Sequence, residues 1–315
     1  MKKPFFLLLC IICCNTILSQ QDAQYTQYMY NTVSVNPAYA GSRDALSITG
    51  LHRSQWVGLE GAPQSQTFSF HAPVDEAKKI GVGLSVINDK IGEGVSQETS
   101  FDAIVSYVLK TSDKSKLSFG LNAGVHLLNI DFTRLSQYDI EFSSDNNIDN
   151  KLSPRIGAGF YYYTKRFYAG LSVPNLLETN HFDTATSSDN AASFLAKEQM
   201  NFYFIAGNVF DLDENWEFKP AFLTKLVFGA PLQLDLSANF WYKKKLILGA
   251  AYRWDAALSF MTGFNINESI LVGLAYDREV TDLGNTTFND GSFEVVFRVE
   301  LFKRFYKDCT CLRFF

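Results

Sequence analysis

Apolar and polar residues alternate with a period of two over segments of roughly eight to twelve residues, again and again along most of the chain. In "IGVGLSVIND", Ile80, Val82, Leu84 and Val86 share one face, and Gly81, Gly83 and Ser85 the other. In "LSFGLNAGVHLLNI", Phe119, Leu121, Ala123, Val125 and Leu127 oppose Gly120, Asn122, Gly124 and His126. "FYAGLSVPNL" and "SILVGLAYDR" repeat the split; in the second, Ile270, Val272, Leu274 and Tyr276 oppose Leu271, Gly273, Ala275 and Asp277. A soluble sandwich would also alternate, but its wet face tends to carry Lys, Glu, Thr and Arg. Here Gly, Ala, Ser and Asn dominate that face, which suits a crowded or loop-filled interior. Large apolar residues towards lipid and small or polar ones towards a lumen form the pattern of a transmembrane antiparallel β-barrel, an all-β fold.

The pattern predicts about fourteen strands, centred near Ile48, Phe68, Leu84, Ile104, Ala123, Gly159, Gly170, Ile205, Ala221, Leu236, Ala250, Phe260, Gly273 and Val296. An even count places both ends of a bacterial barrel on the periplasmic side, with short turns after even strands and long loops after odd ones. The connections "APVDEAKK", "TSDKS", Thr164-Lys165, "DLDEN", Lys243 to Lys245 and "NINES" follow even strands and are short. The three longest, approximately residues 131–152, 175–199 and 278–290, follow odd strands, although "FGAP" and the turn at Asp255 are short as well. Aromatics near strand ends (Tyr161 to Tyr163, Trp216, Trp241, Tyr242, Trp254) are expected as interfacial girdles.

The start of the chain, "MKKPFFLLLCIICCNTILSQ", has two lysines, a short apolar run and a polar end, the order of a secretory signal peptide. Its apolar run is too short to cross about 30 Å of hydrocarbon. Cleavage is expected after Ser19. Cys10, Cys13 and Cys14 follow bulky Leu9 and Ile12 where a lipobox wants small residues. Loss of Lys2 and Lys3 takes the net charge from -5 to about -7, which argues against a nucleic-acid binder. Of five cysteines only Cys309 and Cys311 remain. They stand too close for a relaxed disulfide and are open to metal, another chain or the free state. No remaining apolar run is long enough for a helical membrane span.

Little in the sequence points to catalysis. His52, His71 and His126 fall in different predicted strands, with neither Cys nor carboxylate at metal-ligand spacing, and read as isolated polar residues; His181 is the fourth. No G-x-S-x-G elbow, phosphate loop or dinucleotide fingerprint occurs, so no catalytic residue, cofactor or metal is expected. The acidic stretch "YDIEFSSDNNIDNK", with Asp139, Glu141, Asp145 and Asp149, lacks the glycine and terminal Glu of an EF-hand and reads as a solvated loop. Lys243 to Lys245 form a turn that serves solubility or docks an acidic partner. The small lumen-facing Gly81, Gly83, Gly120, Gly124 and Gly273 leave either an aqueous path or room for inserted loops.

Between leader and first strand lies "QYTQYMYNTVSVNPAYAG", too polar for a bilayer and too aromatic for a casual linker. Tyr25, Tyr28, Met29 and Val33 fall at helical spacing, and Asn36-Pro37 would stop a helix. A short amphipathic plug or lid on the barrel mouth is expected, its exposed amides and tyrosines available to a partner.

"QYTQYMYNTVSVNPAYAGSR", followed by "LHRSQWVGLEGAPQSQTFSFHAPV" and a short Cys-containing basic-aromatic tail, resembles the PorP/SprF family of Bacteroidota outer-membrane proteins over nearly the whole mature chain. The tail departs from the resemblance, since "CTCLRFF" replaces a Cys-Pro-Arg-Phe type of ending, which puts any role for Cys311 in doubt. The resemblance implies a role in type IX secretion. The implied partners are periplasmic or lipoprotein machine subunits, or a secreted adhesin with a type B C-terminal sorting domain, with a possible link to gliding. The expected organisation is a signal peptide (1–19), an N-terminal periplasmic or lumen segment (20–44), an outer-membrane barrel in contact with lipid (45–303) and a periplasmic tail (304–315). Tyr25, Tyr28, Met29, Asn36 and Pro37, with Arg53, Gln55 and Trp56 at the far end of the first strand, are the candidate contact or plug positions, the two groups on opposite sides of the membrane. A passive or substrate-specific porin is the alternative.

Overall fold

The computed structural model describes residues 24–134, 147–177 and 199–301. The expected leader, most of the acidic loop, His181, much of the two longest connections and the tail with Cys309 and Cys311 lie outside the described residues. The strands are β1 (Leu46–Ser54), β2 (Gln64–Pro73), β3 (Ile80–Ile91), β4 (Ser96–Lys110), β5 (Ser115–Ile130), β6 (Ile148–Thr164), β7 (Phe167–Val173), β8 (Asn201–Asn208), β9 (Phe210–Asp211), β10 (Trp216–Val227), β11 (Gln233–Tyr242), β12 (Leu246–Arg253), β13 (Ala257–Asn265), β14 (Ile270–Glu279) and β15 (Ser292–Leu301).

Neighbouring strands pair antiparallel, and the pairing of β1 with β15 and of β10 with β11 closes the sheet on itself. Closure leaves no open edge, the condition for a sheet to sit in hydrocarbon. The two-residue β9 prolongs β8 along β10, where Gly207 faces Ala221 and Phe210 faces Phe218. The wall is therefore a fourteen-strand barrel with one extra short strand, and every expected strand centre falls inside a strand.

The two faces divide as the alternation dictates. Outward residues such as Leu121, 58% exposed, with Val105, Phe160, Leu171, Phe260 and Phe297 form a belt that would be a large apolar patch in water. Inward residues are small, polar or charged and buried: Ser65, Ser69, Ser106, Asn122, Lys219, Asp277, Glu294 and Arg298 among them. The girdle expectation requires outward side chains: Tyr162 and Trp254 are exposed, and Trp216 packs on Tyr242 with ring centroids 4.8 Å apart. It fails for Tyr161, Tyr163 and Trp241, which are buried, because each occupies an inward position of the two-residue repeat.

One end of the barrel carries the connections 55–63, 92–95, 131–147, 174–200, 228–232, 254–256 and 280–291, the other only turns of two to six residues. We refer to them as the long-connection end and the short-turn end. Among the short turns, Lys243 and Lys244 have φ of 51° and 57°, a left-handed pair that Asn-Gly normally fills.

Candidate functional site

Residues 24–45 do not form a lid. They fill the lumen, and the reason is legible residue by residue. In place of one helix stopped at Asn36-Pro37, the chain makes a 3-10 turn at Tyr28–Tyr30, one α turn at Thr32–Val35 and a second 3-10 turn at Pro37–Tyr39. Thr32, Val33 and Val35 are β-branched and give little helical support. Asn36, forced extended by the following proline (φ -139°, ψ 106°), ends the α turn as expected. Its Oδ1 accepts from the Ala38 N–H at 3.0 Å, capping the turn that Pro37 opens, while its Nδ2 donates to the Phe160 carbonyl at 3.0 Å on β6.

The segment descends the lumen in a fixed direction. Along β2, which runs from the long-connection end to the short-turn end, Tyr25 Oη meets Thr67 Oγ1 (2.5 Å), Ser69 Oγ donates to Asn31 Oδ1 (2.7 Å), and the Gly41 N–H donates to His71 Nδ1 (3.2 Å). Four residues of strand span roughly 13 Å, so the chain between Tyr25 and Gly41 is wadded rather than extended.

Both ends are held by charge. At the long-connection end the Thr26 and Gln27 N–H groups donate to the two carboxylate oxygens of Glu294 (2.9 and 2.8 Å), and Thr26 Oγ1 donates to Asp277 (2.7 Å). Arg53 Nη1 lies 2.6 Å from Asp277 and 3.3 Å from Glu294, tying β1, β14 and β15 to the segment. At the short-turn end Arg43 grips Glu300 through two bonds of 2.6 and 2.8 Å, the fork geometry suited to a carboxylate. Ser106 Oγ donates to the Ala40 carbonyl at 2.7 Å, and the Tyr39 ring packs edge-on against Tyr161 and His71.

Glycine makes the space. A Cβ on Gly120 would stand 2.1 Å from Ala38 N, one on Gly81 2.3 Å from the Ala40 carbonyl, and one on Gly273 2.5 Å from Gln27 Oε1. These three open room for the inserted segment rather than an aqueous path. Gly83 and Gly124 instead crowd wall atoms of Phe70 and Phe101.

Tyr25, Tyr28, Met29, Asn36 and Pro37 thus converge inside the barrel, all buried, with Asn36 wholly so. The expectation of exposed amides and tyrosines does not hold in this arrangement, since Gln27 and Asn31 are buried too. Arg53 is buried in the latch. Gln55 and Trp56 line an open cavity of 720 Å³ at the long-connection end, together with Gln24, Lys225, Leu232, Trp254 and Asp255. The start of the tyrosine-rich segment therefore shares one end with Trp56, and only its later part, towards Arg43, lies at the other. Chain direction settled this: the segment must descend before β1 ascends.

Sequence reasoning missed Arg43, Asp277, Glu294 and Glu300. A signal was there: in "SFEVVFRVEL" Glu294, Arg298 and Glu300 share the inward face while Phe293, Val295 and Phe297 point out. His126 is also less isolated than expected, with Nδ1 3.1 Å from Ser100 Oγ and Nε2 3.8 Å from Glu98; Arg155 donates to the same Ser100 oxygen.

Residues 17–299 match the family described as type IX secretion system membrane protein PorP/SprF. The chain belongs to that family. It is an outer-membrane-type β-barrel of type IX secretion. Curated proteins gave no match. Among solved structures, the Pseudomonas putida toluene transporter TodX is similar at 11% identity and a TM-score of 0.49, covering 91% of this chain and 100% of that one. The Acinetobacter baumannii outer-membrane protein Omp33 (11% identity, TM-score 0.45) covers 83% of this chain and 99% of its own. A Pseudomonas aeruginosa FadL homologue (12% identity, TM-score 0.45) covers 91% and 96%.

Proposed function

We propose that this PorP/SprF barrel is a non-enzymatic, plugged scaffold that works by binding protein partners. Those partners are periplasmic or lipoprotein subunits of the secretion machine, a secreted adhesin with a type B C-terminal domain, or both, serving secretion or surface attachment and through them gliding. The single observation that supports the reading is the N-terminal segment itself, which occupies the lumen and is latched at both ends to inward carboxylates. A barrel filled in this way offers its faces, not a channel. In this reading the long connections face the cell exterior and the short turns, with Lys243 to Lys245, face the periplasm.

Native purification of a tagged chain from outer membranes in mild detergent tests it. Machine subunits or one large exported adhesin are expected to accompany the barrel. A partnerless barrel that conducts steadily in planar bilayers would instead establish the porin.

A further inference from the structure

The reachable charge around the 720 Å³ cavity at the long-connection end is negative. Of its wall cations, Arg253 is paired with Asp235 at 2.6 Å and Arg53 with Asp277 and Glu294, while Lys225 is buried with its ammonium 5.8 Å from the Tyr203 ring centre; Glu279 is a further wall carboxylate. Arg278, exposed near the same mouth, donates to the Asn289 and Gly284 carbonyls. By contrast Asp255, on the cavity wall, and Asp282, beside wall residues Thr281 and Leu283, are exposed carboxylates outside every ion pair of the described residues. Asp255 is set in place by the β12–β13 turn at φ 54°, a conformation aspartate tolerates better than most residues. The walls add two indoles: Trp56, half-buried, and Trp254, 64% exposed.

Carboxylates beside accessible indole faces attract cationic side chains by Coulomb and cation–π terms together. We infer that this cavity docks a lysine- or arginine-bearing polypeptide segment of the exported partner. The inference rests on the reading that the long connections face outward and meet that partner. Arg53 forms part of the cavity wall while its guanidinium holds Thr26, so the docked segment would lie directly above the plug latch.

The test uses the purified full-length barrel in neutral detergent and two fluorescein-labelled decapeptides, (Lys-Ser)5 and (Glu-Ser)5. The basic peptide is expected to bind, more weakly as salt rises, and the acidic one not to bind. Asp255→Asn with Asp282→Asn keeps a side chain suited to the turn and is expected to weaken binding by about fivefold, from the loss of two partly exposed charges. Glu60→Gln with Glu93→Gln, in a second cavity of 650 Å³ that the 55–63 and 92–95 connections line at the same end, is expected to leave binding within about twofold. No binding of the basic peptide, or equal weakening by both pairs of substitutions, would overturn the inference, the second because attraction would then be diffuse. Neither result bears on the co-purification test above, so a failed cavity and a failed partner-binding reading are told apart.

Discussion

At Gly120 an added methyl group meets the backbone of the inserted segment instead of a yielding side chain, since its Cβ would lie 2.1 Å from Ala38 N and 2.3 Å from the Pro37 carbonyl carbon. Gly120→Val must therefore displace the Pro37–Tyr39 turn, and the expected result is a barrel that still closes but conducts in planar bilayers where the parent does not. A silent Gly120→Val barrel would show that the turn relocates without opening the lumen. Arg53 sets the opposite constraint. Removing one partner from a buried ion pair leaves the other charge uncompensated at about 3–5 kcal/mol. Arg53→Met leaves both Asp277 and Glu294 without their cation. Its folded form, followed by the mobility shift on heating before gel electrophoresis, is expected to melt at lower temperature. Adding Glu294→Gln is expected to recover part of the loss, because the two sites share one network. Melting indistinguishable from the parent would mean that Thr26 and Gln27 hold the carboxylates unaided.

The N-terminal segment is a chain of three short helical turns, each closed by its own backbone hydrogen bonds, whose place is fixed by the wall around it. That is why its place was only half legible in the sequence. Its aromatic and amide content and the stop at Asn36-Pro37 pointed to a plug or lid, while the small lumen-facing glycines were equally compatible with an aqueous path. The helical spacing of Tyr25, Tyr28 and Met29 pointed to a longer helix than forms: Tyr28–Tyr30 makes a 3-10 turn, and the β-branched Thr32, Val33 and Val35 support only one α turn. The strands were readable throughout, since lipid on one side and a filled lumen on the other impose the same alternation on each. The latch was not, because pairing Thr26 with Glu294 joins residues 268 positions apart and only barrel closure brings them together. Deleting residues 26–42 is expected to leave a closed barrel, since the β1–β15 ladder from Leu46 to Ser54 stands without them. The shortened chain should keep its heat-dependent mobility shift and show a steady open pore. A deleted chain that folds yet stays silent would mean that inward side chains such as Trp241, Met261 and Leu271 block the lumen by themselves.

At the scale of the molecule, the direction of the inserted segment fixes which end of the barrel its first described residue reaches. Gln24 shares a cavity with Trp56 and Trp254, whereas Arg43 and Lys244 lie at the end of the short turns. If the long connections face outward, Gln24 opens to the cell exterior, and a chain expected to start in the periplasm has its early residues at the opposite surface. In a background of Cys309→Ser and Cys311→Ser, single cysteines at Gln24, Glu60 and Lys244 separate the possibilities when intact cells meet a membrane-impermeant maleimide. Labelling at positions 24 and 60 is expected without permeabilisation, and at 244 only after it. Labelling at 244 alone on intact cells would invert the barrel and, with it, the outward-facing role given to the mouth cavity. Labelling at 60 without 24 would keep the orientation but show that the start of the segment is shielded in the membrane, as a partner seated over Trp56 would cause. Removal of that partner by high salt should then expose position 24, because the carboxylates around the mouth are screened on the scale of about 3 Å at 1 M salt.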